Sequence, residues 1–189
     1  DSARLLDALL VTPLRLVVWL VFLGTAYEFV LQRWLENRRM NQLHKTLQGH
    51  LIVCGYGHSG QSAAQESVAR GFAPSQVLVM DRDPARLTLA AEAGHIGLLG
   101  DPTREKDLEG AGVAKARAVL LCLGRDDAAV LAVLTVRQLN PTVRIVCNVA
   151  ENENIKLIQQ AGADAVVAPS QVGGYLMADS VDTSHIADY

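Results

Sequence analysis

The segment Gly55-Tyr56-Gly57-His58-Ser59-Gly60 sets three glycines at the spacing of a phosphate-cradling turn. It directly follows the apolar run LIVC from Leu51 and opens the helical stretch SGQSAAQESVARG. In that context Gly55 permits the tight turn, Gly57 lets backbone approach a pyrophosphate, and Gly60 lets helix and strand pack closely. A helix beginning near Ser59 aims its free amides and positive dipole end at the phosphates, with Tyr56 and His58 in the same turn. A second apolar run ends at Asp81, about twenty residues on, where a carboxylate accepts hydrogen bonds from ribose hydroxyls. Asp81 would repel a 2′-phosphate, whereas the adjacent Arg82 is the kind of group that accommodates one. Gly100-Asp101-Pro102-Thr103 follows a third run, where the adenine edge is expected; Asp101 and backbone groups there are candidates for reading the base, with a helix N-cap as the alternative role for Asp101. The ligand these residues imply is an adenine nucleotide or NAD(H).

Nothing comparable points to catalysis. An oxidoreductase needs a substrate pocket and an acid–base group near the nicotinamide. Arg125 reads as a phosphate or surface residue and Asp126 as a helix N-cap, which make no proton relay. His44, His50, His58, His95 and His185 are scattered without metal-ligand spacing. The chain is therefore read as a non-enzyme, a nicotinamide-dependent enzyme being the remote alternative.

The elements that must position these residues alternate strictly. Apolar runs begin or end at Leu51, Asp81, Gly100, Ala118, Val149 and Pro169, and helical stretches lie between them. Most of those stretches stop at glycine or asparagine, the usual C-terminal signal. Continuous apolar strands joined by helices imply right-handed crossovers and a parallel sheet covered on both faces, an α/β Rossmann-like doubly wound sheet of six strands. Cys54, Cys122 and Cys147 each fall in a strand-like run, with no disulfide or metal spacing, and read as small buried residues of a reducing compartment. The net charge of -3 leaves no basic excess for phosphate neutralisation, so nucleic acid is not an expected partner.

The first forty-odd residues differ. Leu16 to Leu31 reads LVVWLVFLGTAYEFVL, with Glu28 its one charge; as a helix it spans roughly 24 Å, slightly short of a hydrocarbon core of about 30 Å. Thr12-Pro13 is a good helix start, and the helix can run to about Met40. Trp19, Tyr27 and Trp34 suit membrane interfaces. Arg33, Arg38, Arg39 and Lys45 follow the run, against Arg4 and Arg15 before it, which places the following residues in the cytoplasm and the run in the inner membrane, in contact with lipid. Acidic residues before the run and no small-residue cleavage site argue against a signal peptide. The expected organisation is a long transmembrane helix and the start of a linker over 1–40, linker over 41–49, the Rossmann unit over 50–169, and a crossover helix with a Gly173-Gly174 hinge over 170–189, cut inside a longer protein.

VCGYGHSG, VLVMDRDPARL, GHIGLLGDPTREKDLEGAGV, LNPTVRIVCNV and QQAGADAVVAPSQVGGYLM closely resemble the RCK (regulator of K+ conductance) or KTN domain, over His50 to Met177. The upstream TPLRLVVWLVFLGTAYEFVLQRWLENRRMNQL is similar to the inner helix and linker of ligand-gated prokaryotic potassium channels, with Gly24 where such a helix bends. The resemblance implies a regulatory role in K+ conduction, with domains paired and stacked as a ring under a tetrameric pore. It maps the nucleotide site onto Gly55, Gly57, Gly60, Asp81, Arg82, Asp101 and Thr103, and places Asp182 near the acidic residue that contributes to a divalent-cation (calcium) site in some members. Two departures stand out: His58 replaces the usual arginine and Pro102 the usual alanine. The helix DDAAVLAVLTVRQLN, with Val130, Leu131, Leu134 and Val136, is the candidate assembly face, ordinary core packing accounting for part of its apolar character. A soluble regulatory subunit docking on a separate K+ transporter is the alternative.

Overall fold

Six strands, β1 (Leu51–Cys54), β2 (Val77–Asp81), β3 (Ile96–Leu99), β4 (Ala118–Leu121), β5 (Arg144–Asn148) and β6 (Ala165–Val167), form one sheet in the order β3-β2-β1-β4-β5-β6. Every pairing is parallel. The computed structural model describes Arg15, residues 18–24, Tyr27 and residues 47–182. The helices are α1 (His58–Ala69), α2 (Pro84–Glu92), α3 (Glu105–Gly110), α4 (Asp126–Leu139), α5 (Ile155–Gln160) and α6 (Pro169–Asp182).

Position in the sheet explains the contrast between β1 and β2 and the two edge strands. β1 and β2 are flanked on both sides, and every residue of both is buried. β3 and β6 are the edges, and only Leu98 of their residues is fully buried. Side chains alternate between faces, so Leu51, Val53, Val77 and Val79 point one way, where they pack with Ala64 of α1 and Ala90 of α2. On α4, Ala129, Ala132, Val133 and Val136 are buried at helical spacing, while Leu131 and Leu134 stay half exposed. Val136 is thus part of the core, the share of the apolar face that ordinary packing explains.

Side-chain clasps tie the second half together. The Arg137 guanidinium donates to the carbonyls of Gly162 at 2.8 Å and Val143 at 2.6 Å and pairs with Asp164 at 2.7 Å. Asp126 does not cap α4: the N-cap is Arg125, and the Asp126 carboxylate instead accepts from the amides of Ala150 and Glu151 and from Asn154 Nδ2, fastening α4 to the loop after β5. These bonds outweigh burial and hold its carboxyl below the ordinary range. Gly173 and Gly174 lie inside α6, which runs unbroken through both; glycine weakens a helix by about 1 kcal/mol without breaking it. Almost all of α6 is exposed, including Tyr175, Met177 and Val181.

The chain divides into two units, Asp1–Lys45 and Thr46–Tyr189. In the first, the described residues are helical, and Val18 to Leu23 are exposed by 61% to 75%. The Trp19 and Phe22 rings meet edge-on at 6.0 Å. The membrane-helix expectation for residues 16–31, and its continuation to Met40, fall largely outside the described residues; among these, no helix is long and apolar enough to cross a membrane.

Candidate functional site

The strand order reverses between β1 and β4, and the crevice beyond the strand ends at such a switch point is where open α/β sheets take ligands. A cleft of about 570 Å³ opens there, bordered by Gly55 after β1, Met80 and Asp81 at the end of β2, Asp101 and Thr103 after β3, and Cys122 after β4.

The three glycines have different reasons. Gly55 has φ +90°, and a Cβ there would overlap the Cys122 carbonyl. A Cβ on Gly60 would overlap the Gly55 carbonyl. Gly57 is different: its φ is ordinary, and a Cβ would meet nothing closer than Arg86 Nη1 at 3.8 Å. The fold does not require glycine at 57; close approach by a ligand would. Gly57 is also the N-cap of α1, and no side chain caps that helix, so the first-turn amides remain available to an anion.

Asp81 is 7% exposed and already engaged. Its Oδ2 accepts the Tyr56 amide at 2.7 Å, its Oδ1 the Asp83 amide at 2.9 Å, and Arg86 Nη1 lies 3.4 Å from Oδ2. Burial pushes this carboxyl up, but the two amides and the Arg86 guanidinium together bring it below the ordinary value. A carboxylate offers about four lone-pair sites, so capacity for a ribose hydroxyl remains. Asp101 is held likewise: Oδ1 accepts the Thr103 amide at 2.9 Å and hydroxyl at 2.7 Å, and Oδ2 pairs with Arg82 at 2.6 Å. Burial is outweighed by these contacts, and the carboxyl is lowered to about 2. Asp101 is not the N-cap of α3, which is Arg104; it shapes the turn before it.

The structure thus brings Gly55, Asp81, Arg82, Asp101 and Thr103 to one cleft. Gly57, which caps α1, and His58 and Ser59, its first residues, lie outside the cleft lining, with His58 and Ser59 exposed, and Gly60 is buried. Tyr56 contributes its amide alone, because its ring is buried in the core, 6.2 Å from the His95 ring. His50 and His95 are structural, bonded to the carbonyls of Ala111 and Pro74. Asp182 ends α6, and among the described residues no group of three or more His, Cys, Asp or Glu side chains could hold a metal.

Several lining residues escape the motif. Arg86, on the first turn of α2, stands between Asp81 and Gly57. Arg125 forks onto the Asp127 carboxylate at the head of α4. Leu123, Ala128 and Leu131 add an apolar wall. Cys122 lies just past β4 and not within it, is partly exposed, and lines the cleft; burial still pushes its thiol up to about 11. Cys54 and Cys147 are buried.

A parallel sheet in this order, with a glycine turn and a strand-end carboxylate at its switch point, is a Rossmann-type nucleotide-binding fold. Residues 51–169 match the TrkA-N domain family, and the chain belongs to that family. It is 29% identical over 167 residues to probable potassium channel protein 2 of Methanocaldococcus jannaschii, covering 86% of this chain and 48% of that one. It is 27% identical over 128 residues to a Trk system potassium uptake protein TrkA homolog of Pyrococcus abyssi, covering 65% and 56%. The GsuK RCK domain aligns with a TM-score of 0.60 at 25% identity, over 67% of this chain and 27% of that chain. GsuK structures bound to ADP and to NAD align with TM-scores of 0.60 and 0.58, both at 26% identity, over 67% and 65% of this chain and 33% and 22% of those chains. The RCK resemblance drawn from the sequence holds. The chain spans about half the length, or less, of the potassium channel proteins it matches.

Proposed function

We propose that this chain is the regulatory, nucleotide-sensing part of a potassium channel, in which an adenine nucleotide or NAD(H) in the β1/β4 cleft alters K+ conduction. The observation that carries the reading is Gly57: a glycine the fold does not need, beside an uncapped helix start and the Arg86 guanidinium. In the bound state the α1 amides and Arg86 would hold phosphate, Asp81 the ribose, and the Asp101–Thr103 turn the base. His58 is a weaker phosphate partner than arginine, which favours a short phosphate chain.

Coupling follows if the ligand binds one arrangement of an oligomer better than another. The half-exposed Leu131 and Leu134 of α4 and the apolar residues of α6 are the surfaces for pairing and ring assembly under a tetrameric pore. The exposed apolar residues between Val18 and Leu23 fit an inner helix in lipid, with the cleft on the cytoplasmic side of an inner membrane. A divalent ion at Asp182 belongs to this reading only with carboxylates from further along the chain, since calcium takes six or more oxygens. The similarity to the TrkA homolog supports a second reading, a soluble subunit docked on a K+ transporter; extraction of the full chain without detergent would favour it.

Calorimetric titration of AMP, ADP, ATP, NAD and NADH tests the binding step, with Gly57→Val as the control that blocks approach and leaves packing intact. Saturable binding lost in Gly57→Val supports the reading; no binding by any of the five, or equal binding by the variant, overturns it. Single-channel currents with and without the best ligand then test gating.

A further inference from the structure

The cations that line the cleft are Arg82, Arg86 and Arg125, and each faces a carboxylate: Arg82 with Asp101, Arg86 with Asp81 and Asp83, Arg125 with Asp127. The Arg82–Asp101 pair is unlike the other two because it joins two strand ends across the adenosine side of the cleft. Arg82 follows β2 and is 66% exposed; Asp101 follows β3 and is 15% exposed. Asp101 is the rigid partner, its Oδ1 fixed by the Thr103 amide and hydroxyl and its own amide bonded to Asp107. Arg82 is the exposed partner, its guanidinium 2.6 Å from Asp101 Oδ2. An arginine just after the strand-end carboxylate is the group that receives a ribose 2′-phosphate in sites that accept one. Here that guanidinium is taken.

Resting on the nucleotide reading above, we infer that Asp101 is a specificity-determining residue: by holding Arg82 it keeps the cleft selective for adenosine ligands with a free 2′-hydroxyl. A 2′-phosphate entering the cleft meets the Asp81 carboxylate and finds its cation engaged elsewhere. Both the loss of the Arg82–Asp101 pair and the nearness of the Asp101 charge count against it, which is discrimination by a repulsive element as well as an attractive one.

The test measures affinities of the full chain for AMP against adenosine 2′,5′-bisphosphate, and for NADH against NADPH, within each of three proteins: the parent, Asp101→Asn, and Asp101→Asn with Arg82→Gln. Asparagine keeps an oxygen for Thr103 while removing the charge, and thermal melting checks that the variants fold. The expected result is a preference for the 2′-hydroxyl ligand in the parent. In Asp101→Asn the preference falls by about two- to fivefold, the range an exposed ion pair commands, and in the double variant it returns. An unchanged ratio in Asp101→Asn, or a fall that persists without Arg82, overturns the role of Asp101 while leaving the nucleotide site standing. Absence of binding by all four compounds removes both.

Discussion

The Tyr56 amide donates to Asp81 Oδ2 at 2.7 Å, so the carboxylate at the end of β2 holds the glycine turn that follows β1. The residue expected to grip a sugar is therefore also a fastener of the loop that would grip its phosphates. With Asp83 and Arg86 on its remaining edges, Asp81 joins β1, β2 and α2 at the floor of the cleft.

Asp81→Asn should lower stability as well as affinity. One oxygen becomes an NH2 group, which must face the donors of Tyr56, Asp83 or Arg86. A buried donor left unpaired costs about 1–3 kcal/mol, or about 3–10 °C in Tm for a chain of this size. Calorimetric melting without ligand checks this; an unchanged Tm would mean that Asp81 does not brace the turn.

The glycines should separate. Gly60→Ala forces a Cβ into the Gly55 carbonyl and should destabilise by more than about 3 kcal/mol, giving little folded protein. Gly57→Val should melt within about 1 kcal/mol of the parent, because its Cβ meets only the flexible end of the Arg86 side chain, at ordinary contact distance. Parallel denaturant titrations decide, and equal losses would contradict the distinction.

Acid should erase the contribution of Asp101 in a defined window. Its folded carboxyl lies at about 2, below the ordinary 3.8, so its stabilisation is present above about pH 4 and lost as pH falls toward 2. The Tm difference between the parent and Asp101→Asn should be flat from pH 6 to 4.5 and shrink below 4. A difference that is constant across the whole range would refute the pairing.

Cys122 is a natural reporter of cleft occupancy. At neutral pH its alkylation by iodoacetamide should be slow, since burial holds the thiol near 11, and should quicken toward pH 9. ADP should slow it further, while buried Cys54 and Cys147 stay unlabelled in the native protein. Peptide mass spectrometry assigns the sites, and a rate indifferent to ADP would place the nucleotide elsewhere.

The parallel six-stranded sheet was legible because LIVC, VLVMD and AVLL are continuous apolar runs separated by helical stretches. The order of the strands was not, because alternation alone is compatible with more than one doubly wound arrangement. Asp81 was read from its spacing to the glycines and its place at the end of the second apolar run. Arg86 was not, because an arginine on the first turn of a helix looks like any solvated residue; its signal was Pro84, which starts the helix soon enough to bring residue 86 back over the strand end. Asp126 was misplaced for a related reason. Its partners, Ala150 and Asn154, lie on the far side of β5, and local spacing carries no trace of such a bond. Tyr56 sits inside the motif, yet the direction of its ring is set by the core and not by the turn.

The partnership of β1 with β4, Leu51 beside Ala118 through Cys54 beside Leu121, spans much of the folded unit in sequence. On the ribosome, β1 has one side open until β4 emerges. Any truncation before Ala118 leaves the most apolar strand as a bare edge, a template for stacking between chains. Shortened versions ending there should be recovered as aggregates, whereas those that retain β4 enclose it.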